Sequence, residues 1–259
     1  MDVVPGIAAL RPEHGPSFAV VGVFDGLHLG HAYLLEHLVR EARTRRARPT
    51  VITFDHHPDE VLVGSAPPLL LHPEERLGRL AAAGVEVTVV QPFDEIVRRT
   101  SYDAFVDAIR ARTELAGLLM TPDAAFGFER LGTPEAMAAL GARDGFDVVV
   151  VPTFNLGGRS VRSSDVRWAI AAGDLSGAAE LLGRAVTLRG TLDGDDVRFD
   201  WPLALPPDGA YPCSVGGTEA VLELSGGRAR LGPGTVGAPE VGDQATQVAP
   251  GPVEVVLRA

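Results

Sequence analysis

The sequence contains no lysine, so all 23 residues in its lysine-plus-arginine count are arginines. The lysine-dependent phosphate loop, G-x-x-x-x-G-K-[ST], is therefore excluded. Acidic residues number 34, and the formal net charge is -11. A chain this acidic has no general attraction for nucleic-acid backbones or anionic membranes, so we expect neither as a partner. Any phosphate that it binds must be held by local groups.

Cysteine and long apolar runs are also scarce. The single cysteine, Cys213, excludes an intramolecular disulfide and any multi-cysteine metal site. No segment approaches the roughly 18 to 20 uninterrupted apolar residues of a membrane span, and the first residues, MDVVPGIAAL, lack the features of a secretory signal. We therefore expect a cytoplasmic protein. The sequence leaves a homo-oligomer open.

Short apolar runs alternate with helical patterns as far as about residue 184. The predicted strands are Phe18–Val23, Thr50–Phe54, Val85–Val90, Leu115–Met120 and Val148–Pro152. The predicted helices are Ala32–Arg46, Pro73–Ala83, Tyr102–Arg112, Pro134–Ala142, Ser164–Ala172 and Asp174–Leu182. This alternation predicts an α/β fold with a Rossmann-like, doubly wound parallel sheet. In such a sheet, ligands bind beyond the carboxyl ends of the strands.

The pattern changes after Gly183, where short alternating segments are separated by glycine and proline. The predicted strands there are Val186–Leu192, Val197–Trp201, Ala210–Val215, Glu219–Leu224, Arg228–Leu231 and Val253–Leu257. They predict a small antiparallel β-barrel or sandwich. We place the domain boundary near Arg184, which gives domains at 1–184 and 185–259. The segment Gly232–Pro252 is predicted to be a long loop.

The stretch GVFDGLHLGH, residues 22 to 31, follows the first predicted strand and leads into the first predicted helix. Gly26 and Gly30 allow the backbone to approach a ligand closely, and the first amides of the helix favour an anion. His28 and His31 can donate hydrogen bonds to phosphate oxygens and stabilise negative charge that develops on phosphorus. The pattern therefore favours nucleotidyl transfer. A zinc site is rejected, because no H-E-x-x-H motif or cysteine pair accompanies the seven histidines.

Residues 22 to 31 resemble the G-x-F-D-G-x-H-x-G-H signature of the prokaryotic FAD synthetases, the bifunctional riboflavin kinase/FMN adenylyltransferase family. Thr53–Pro58 resembles the family's T-F-D-P-H-P, and Asp123–Gly127 resembles its D-F-x-F-G. Val161–Arg167 resembles I-S-S-T-x-x-R, and residues 173 to 184 resemble G-D-x-x-x-A-x-x-L-L-G-R. The resemblance covers essentially all of residues 15 to 190.

The resemblance implies a reaction in which ATP and FMN give FAD and pyrophosphate, with Mg²⁺ on the ATP phosphates and no metal bound by protein ligands alone. It implies catalytic roles for His28, His31 and Arg167. It implies an ATP site that comprises Gly22, Phe24, Asp25, Gly26, His28, Gly30, His31, Asp123, Ser163, Ser164 and Arg167. It implies a flavin site bordered by Phe54, His57, Pro58 and Phe126, although packing in the core would equally explain the two phenylalanines and the proline.

Departures from the family pattern affect the acceptor more than the phosphate machinery. His56 replaces the usual proline of T-F-D-P-H-P, and Ala124 and Ala125 replace an aromatic and a polar residue. Arg162 replaces the first serine of S-S-T. These changes leave three hypotheses open. The chain is an FMN adenylyltransferase, a nucleotidyltransferase with another phosphorylated acceptor, or a non-catalytic protein that binds flavin or nucleotide.

The C-terminal region resembles the riboflavin kinase barrel of the family only in part. Leu205–Tyr211 resembles its L-P-x-x-G-x-Y strand, whereas the kinase signature G-x-P-T-A-N is missing between Leu192 and Leu205. The distal region with the family's catalytic glutamate is expected to be absent or shortened, and for Glu254 we expect a structural role. We therefore expect riboflavin kinase activity to be lost.

Overall fold

The computed structural model describes residues 1–233 and 251–258. These residues form two compact units. The first unit comprises Met1–Phe24, Gly30–Pro67 and Pro73–Ser160. The second comprises Asp25–Leu29, Pro68–His72 and the chain from Val161 onwards. Within the described ranges, no helix is long and apolar enough to cross a membrane.

The first unit is built on a six-stranded sheet in which every neighbouring pair is parallel. Its strands are β1 (Asp2–Val4), β2 (Ser17–Val21), β3 (Arg48–Phe54), β4 (Val87–Gln91), β5 (Leu115–Met120) and β6 (Asp147–Val150). The spatial order is β1-β4-β3-β2-β5-β6. The chain runs from β2 outwards through β3 and β4 and then returns to the other side of β2 with β5 and β6, which confirms the predicted doubly wound sheet. β1, an edge strand of three residues, was not predicted.

The helices of the first unit are α1 (Leu29–Thr44, with all but its first residue in this unit), α2 (Asp59–Leu62), α3 (Pro73–Ala82), α4 (Glu95–Arg99), α5 (Tyr102–Arg110) and α6 (Pro134–Asp144). β2 and β3 are buried along nearly their whole length, because apolar side chains on both faces of the sheet are covered. α5 buries Phe105, Val106 and Ile109, which lie on one face of the helix. A two-stranded hairpin, β7 (Asn155–Leu156) and β8 (Arg159–Ser160), completes the unit.

The start of α1 differs from the prediction. The helix begins at Leu29, three residues before the predicted start at Ala32. Glycine at position 30 weakened the helical signal, yet the chain adopts helical geometry there. The amides of the first turn therefore belong to the motif itself, rather than to the residues that follow His31.

The second unit combines a closed six-stranded barrel with two helices, α7 (Ser163–Ala171) and α8 (Leu175–Leu182). The barrel strands are β9 (Thr187–Asp193), β10 (Asp196–Arg198), β11 (Gly209–Val215), β12 (Thr218–Ser225), β13 (Arg228–Pro233) and β14 (Gly251–Leu257). They pair in antiparallel fashion in the order β10-β13-β12-β11-β14-β9, with β9 closing on β10. The predicted barrel is confirmed, and a closed ring leaves no exposed sheet edge.

Alternation of buried and exposed residues sets the inside of the barrel. In β14, Val253, Val255 and Leu257 are buried, whereas Glu254 is exposed. The barrel core shares a hydrophobic cluster with Val166 and Ile170 of α7, which explains why both helices group with the barrel. This grouping by packing differs from the boundary near Arg184, which stays a prediction about domain organisation.

The predicted loop Gly232–Pro252 lies mostly outside the described residues. The structure describes the two ends of this segment, and at both ends the prediction of a loop is wrong. Gly232 and Pro233 end β13, and Gly251 and Pro252 begin β14. Backbone pairing with β12 and β9 holds these residues in strands despite their glycine and proline content.

Candidate active site

In the first unit a cavity of about 210 Å³ lies where β2 and β5 end. These neighbouring strands flank the point at which the chain order of the sheet reverses, which is where doubly wound sheets bind ligands. The cavity is lined by Val20, Val21, Leu34, Leu118, Leu119, Met120, Thr121, Ala124, Ala125, Phe126 and Arg130. Both alanines that depart from the family pattern thus face open space, so they enlarge the cavity.

The first part of the motif continues directly from β2. Gly22 follows the strand, and its N–H donates to the carbonyl of Ile52 at 3.0 Å. A Cβ at Gly22 would lie 3.0 Å from the ring of Phe24, so glycine permits this close approach. Phe24 is buried, and its ring centroid lies 5.1 Å from that of His31. His31, in the first turn of α1, is thereby held against an aromatic side chain.

The predicted flavin residues lie in two places in the first unit. Phe54 ends β3, where it is buried and contacts the edge of the Phe93 ring with centroids 5.1 Å apart. His57 and Pro58 follow in a turn, and Nδ1 of His57 accepts a hydrogen bond from the Asp59 N–H at 3.2 Å. Phe126 lines the cavity and packs against Phe105, at 5.5 Å between centroids. Only Phe126, among these four, borders that cavity.

Asp123 lies in the loop after β5 and is exposed. Its Oδ1 accepts a hydrogen bond from the Thr121 hydroxyl at 2.8 Å. This contact orients the carboxylate while leaving its other oxygen without a hydrogen bond in the described residues. Across the described ranges, no three His, Cys, Asp or Glu side chains are grouped so as to hold a metal ion. Asp123 can therefore contribute one carboxylate ligand to a cation, but the other ligands of that cation must come from elsewhere.

In the second unit Asp25 is the centre of a hydrogen-bond network. Its carboxylate is almost completely buried, at 3% exposure. It accepts bonds from the N–H groups of Leu70, at 3.0 and 3.1 Å, and of Leu71, at 3.2 Å. It also forms an ion pair with Arg167 at 2.5 Å. Because a buried carboxylate requires such partners, Asp25 fixes the loop in place, and its oxygens are already used.

Some side chains around α7 are engaged in hydrogen bonds within the protein, whereas others remain available to bind a ligand. Nε of Arg167 donates to the carbonyl of Pro68 at 2.8 Å, in addition to the ion pair with Asp25. The hydroxyl of Ser163 donates to the Asp25 carbonyl at 2.9 Å. Ser164, in the first turn of α7, has no side-chain hydrogen bond in the described part of the chain. Its hydroxyl and the first amides of the helix are the donors suited to a phosphate.

His28 immediately precedes α1 and is 4% exposed. The pKa of its imidazole is lowered from 6.5 to about 4, mainly because burial disfavours the charged ring. The negative charge of Asp165 opposes this lowering, and the positive charges of Arg184 and Arg167 contribute to it. The ring is therefore neutral near pH 7, where one nitrogen carries a hydrogen and the other accepts.

Two arginines that bind backbone carbonyls were not predicted as site residues from the sequence. Arg184, after α8, donates to the carbonyls of Gly26 and Leu27 in the second unit. Arg76, buried on α3, donates to the carbonyls of Val23 and Phe54 in the first unit. The available signal for Arg76 was its position four residues before the buried Leu80 on one helix face.

The Rossmann-like sheet places the first unit in the α/β class, and doubly wound sheets of this class bind ligands at the reversal point where the cavity lies. A family model described as FAD synthetase matches residues 10–165. The chain belongs to the FAD synthetase family. This confirms the predicted family and, with it, the prediction of a nucleotidyltransferase enzyme.

Two relatives extend the comparison. The bifunctional riboflavin kinase/FMN adenylyltransferase of Escherichia coli (strain K12) is 31% identical over 238 residues, which are 89% of this chain and 76% of the relative. The protein of the same description from Pseudomonas fluorescens is 32% identical over 191 residues, 73% of this chain. That match covers 61% of the Pseudomonas protein, less than two thirds of its length. Both similarities support the prediction of an FMN adenylyltransferase.

A solved structure also shares the fold. The crystal structure described as a macrolide-efflux protein from Streptococcus pneumoniae has a TM-score of 0.79 and 21% sequence identity. The match covers 99% of this chain and 88% of that one. At this level of identity the likeness shows the fold alone.

Proposed function

We propose that this protein transfers the adenylyl group of ATP to FMN, giving FAD and pyrophosphate. An oxygen of the FMN phosphate attacks the α-phosphorus, the bond from that phosphorus to the bridging oxygen of the β-phosphate breaks, and pyrophosphate leaves. The observation that carries the proposal is the H-x-G-H motif at the junction of β2 and α1, in a family matched over residues 10–165. Positioning and charge stabilisation supply the catalysis, with no covalent intermediate on the protein.

The two histidines stabilise the transition state in different ways. His28, neutral because of its burial, donates one hydrogen bond to a phosphate oxygen. His31 presents its ring from the first turn of α1, where the helix amides also favour negative charge. We further propose that Ser164 and the start of α7 bind the triphosphate. Arg167 contributes there with the part of its guanidinium that does not hold Asp25 and Pro68.

The lining of the cavity at the reversal point of the sheet suits a planar acceptor molecule. Most of its lining is apolar, and Phe126 offers a ring for stacking. We propose that the isoalloxazine ring of FMN enters it. Because Ala124 and Ala125 leave more space than larger side chains would, a phosphorylated acceptor bulkier than FMN is the second candidate. Phe54, His57 and Pro58 are kept as proposed flavin neighbours.

Mg²⁺ is proposed to accompany ATP, held mainly by phosphate oxygens. Asp123 fits this arrangement, since Mg²⁺ commonly takes one or two carboxylates and completes its shell with phosphates and water. The ion would supply charge neutralisation for the leaving pyrophosphate. We also propose a location in the cytoplasm, and we propose no oligomeric state.

We propose that the barrel has lost riboflavin kinase activity. Phosphoryl transfer requires groups that hold Mg²⁺ and ATP together, and the chain has Phe199–Pro202 where the family has its Thr-Asn signature. Glu254 is exposed on the outer side of β14, away from the apolar interior of the barrel, and its predicted structural role is kept as part of this proposal. Residues 1–184 would then carry adenylyl transfer and residues 185–259 a reduced, kinase-like barrel.

The test is a panel of phosphorylated acceptors, with FMN among them, incubated with ATP and Mg²⁺ while pyrophosphate release is followed. FMN should give the highest kcat/KM and stoichiometric FAD by chromatography. A higher kcat/KM for another acceptor would identify that compound class instead. Tight binding of FMN or ATP without pyrophosphate release would favour a non-catalytic binding protein.

A further inference from the structure

The loop between β2 and α1 adopts an uncommon backbone conformation. Leu27, directly before His28, has a φ of 40°, and Phe24 has a φ of 54°. Side chains with a Cβ rarely adopt positive φ, since Cβ crowds the backbone there. Gly26, at 83°, carries no such penalty, and a Cβ there would also lie 2.7 Å from Leu70. The conformation around Leu27 therefore persists only if other contacts hold it.

Arg184 supplies such contacts in the second unit. Its Nη2 donates to the carbonyl of Gly26 at 2.7 Å, and its Nη1 donates to the carbonyl of Leu27 at 3.3 Å. The two carbonyls belong to consecutive residues, one of which has the strained backbone. A planar guanidinium with its donors in a fixed fork is well suited to two neighbouring oxygens.

The end of α8 fixes Arg184 in turn. Gly183 ends the helix in the left-handed conformation, with a φ of 69°, and the Arg184 N–H donates to the Ala179 carbonyl at 3.2 Å. A Cβ at Gly183 would lie 2.5 Å from the side chain of Leu29. The helix end therefore packs closely against the residue that follows His28, which brings Arg184 within reach of the loop.

We propose that Arg184 is a positioning residue for adenylyl transfer, which holds the Gly26–Leu27 backbone so that the His28 ring is placed for its phosphate contact. The inference rests on the proposed function only in giving His28 a phosphate to contact. Arg184 itself touches backbone in this network, so it acts on the reaction through His28. The charge of Arg184 also contributes to the lowered pKa of His28, after burial, and so helps keep the ring neutral.

The test compares Arg184→Ala and Arg184→Lys with the unmodified protein. Displacement of a catalytic group by about 1 Å can cost about 10²-fold in rate, so Arg184→Ala should lower kcat about 10- to 100-fold. The KM for ATP should change less than about threefold, since positioning affects the transition state more than substrate binding. Arg184→Lys restores the charge and one donor and should recover part of the lost kcat. Equal kcat in all three proteins would overturn the proposal.

A control and a second readout separate positioning from folding. Arg110→Ala removes another guanidinium that binds a carbonyl, that of Asp144 at 2.8 Å, and should leave kcat unchanged. In an NMR titration, Arg184→Ala should raise the pKa of His28, whereas Arg110→Ala should not. If Arg184→Ala fails to fold, Arg184→Gln removes the charge while it keeps an amide donor, and it carries both measurements. A kcat and a His28 pKa in Arg184→Gln that both equal those of the unmodified protein would refute the positioning role.

The titration also distinguishes this inference from the proposed function. If the unmodified protein makes no FAD but the His28 pKa responds to Arg184→Ala, the adenylyl transfer proposal fails while the network between Arg184 and His28 stands. If FAD is made and neither kcat nor the His28 pKa responds to either substitution, the function stands and Arg184 has no positioning role.

Discussion

The burial of His28 predicts a specific loss of stability in acid. The pKa of the folded imidazole, about 4, lies about 2.5 pH units below the ordinary value of 6.5. Each unit corresponds to about 1.4 kcal/mol, so complete protonation favours the unfolded chain by about 3 kcal/mol. Above the ordinary pKa the ring is neutral in both the folded and the unfolded chain, so its protonation contributes nothing to the free energy of unfolding. Between about pH 6.5 and about pH 4 only the unfolded state gains the proton, and stability falls with falling pH.

At about pH 5 this linkage amounts to about 2 kcal/mol relative to neutral pH. The free energy of unfolding in urea is measured for the unmodified protein and for His28→Gln, each at about pH 7 and about pH 5. The loss of stability from the higher to the lower pH in one protein minus that in the other gives the contribution of His28. The unmodified protein should lose about 2 kcal/mol more than the variant. His56→Gln, at an exposed histidine, serves as the matched control and should behave as the unmodified protein. Equal pH-dependent losses with and without His28 would refute the account of its burial.

Three further substitutions test other parts of the site. Arg167→Ala removes the buried partner of Asp25 and should lower the free energy of unfolding by about 3 kcal/mol, against less than about 1 kcal/mol for the exposed Arg258→Ala. The same substitution should raise the ATP Kd by at least about tenfold in calorimetry, and an unchanged Kd would leave Arg167 a structural role only. His31→Ala should lower kcat about 10²- to 10³-fold with a much smaller change in ATP affinity, so turnover within twofold of the unmodified protein would contradict its assignment. Ala125→Phe should fill the cavity and raise the KM for FMN at least about tenfold, and an unchanged KM would place the acceptor elsewhere.

Periodicity predicted the two architectures of the chain because each is encoded locally. Apolar residues on both faces of β3 indicate a covered parallel strand, and alternation in β14 indicates a barrel strand with one buried face. The start of α1 was misplaced because Gly30 has a low intrinsic helix propensity, which the surrounding structure overrides. β1 was missed because three residues are too few for a periodic signal.

The motif residues were recognisable in sequence, but their partners were not. Asp25 binds the amides of Leu70 and Leu71 and the side chain of Arg167, which are 45, 46 and 142 positions away. No local pattern encodes contacts across such separations. The neutral state of His28 depends on burial by the same long-range packing, so the sequence could suggest a phosphate donor without giving its charge. Arg184 was recognisable only as part of a family segment, and its contacts required the fold.

Transfer of label from ATP to flavin tests the central claim most directly. The purified protein is incubated with Mg²⁺ and ATP labelled at either the α- or the γ-phosphorus, with FMN or riboflavin as acceptor, and the flavins are separated. Adenylyl transfer predicts that α-label enters FAD when FMN is supplied, that γ-label leaves only in pyrophosphate, and that riboflavin acquires neither label. Label from the γ-phosphorus in FMN would show an active kinase, and α-label that stays out of FAD would contradict adenylyl transfer to FMN.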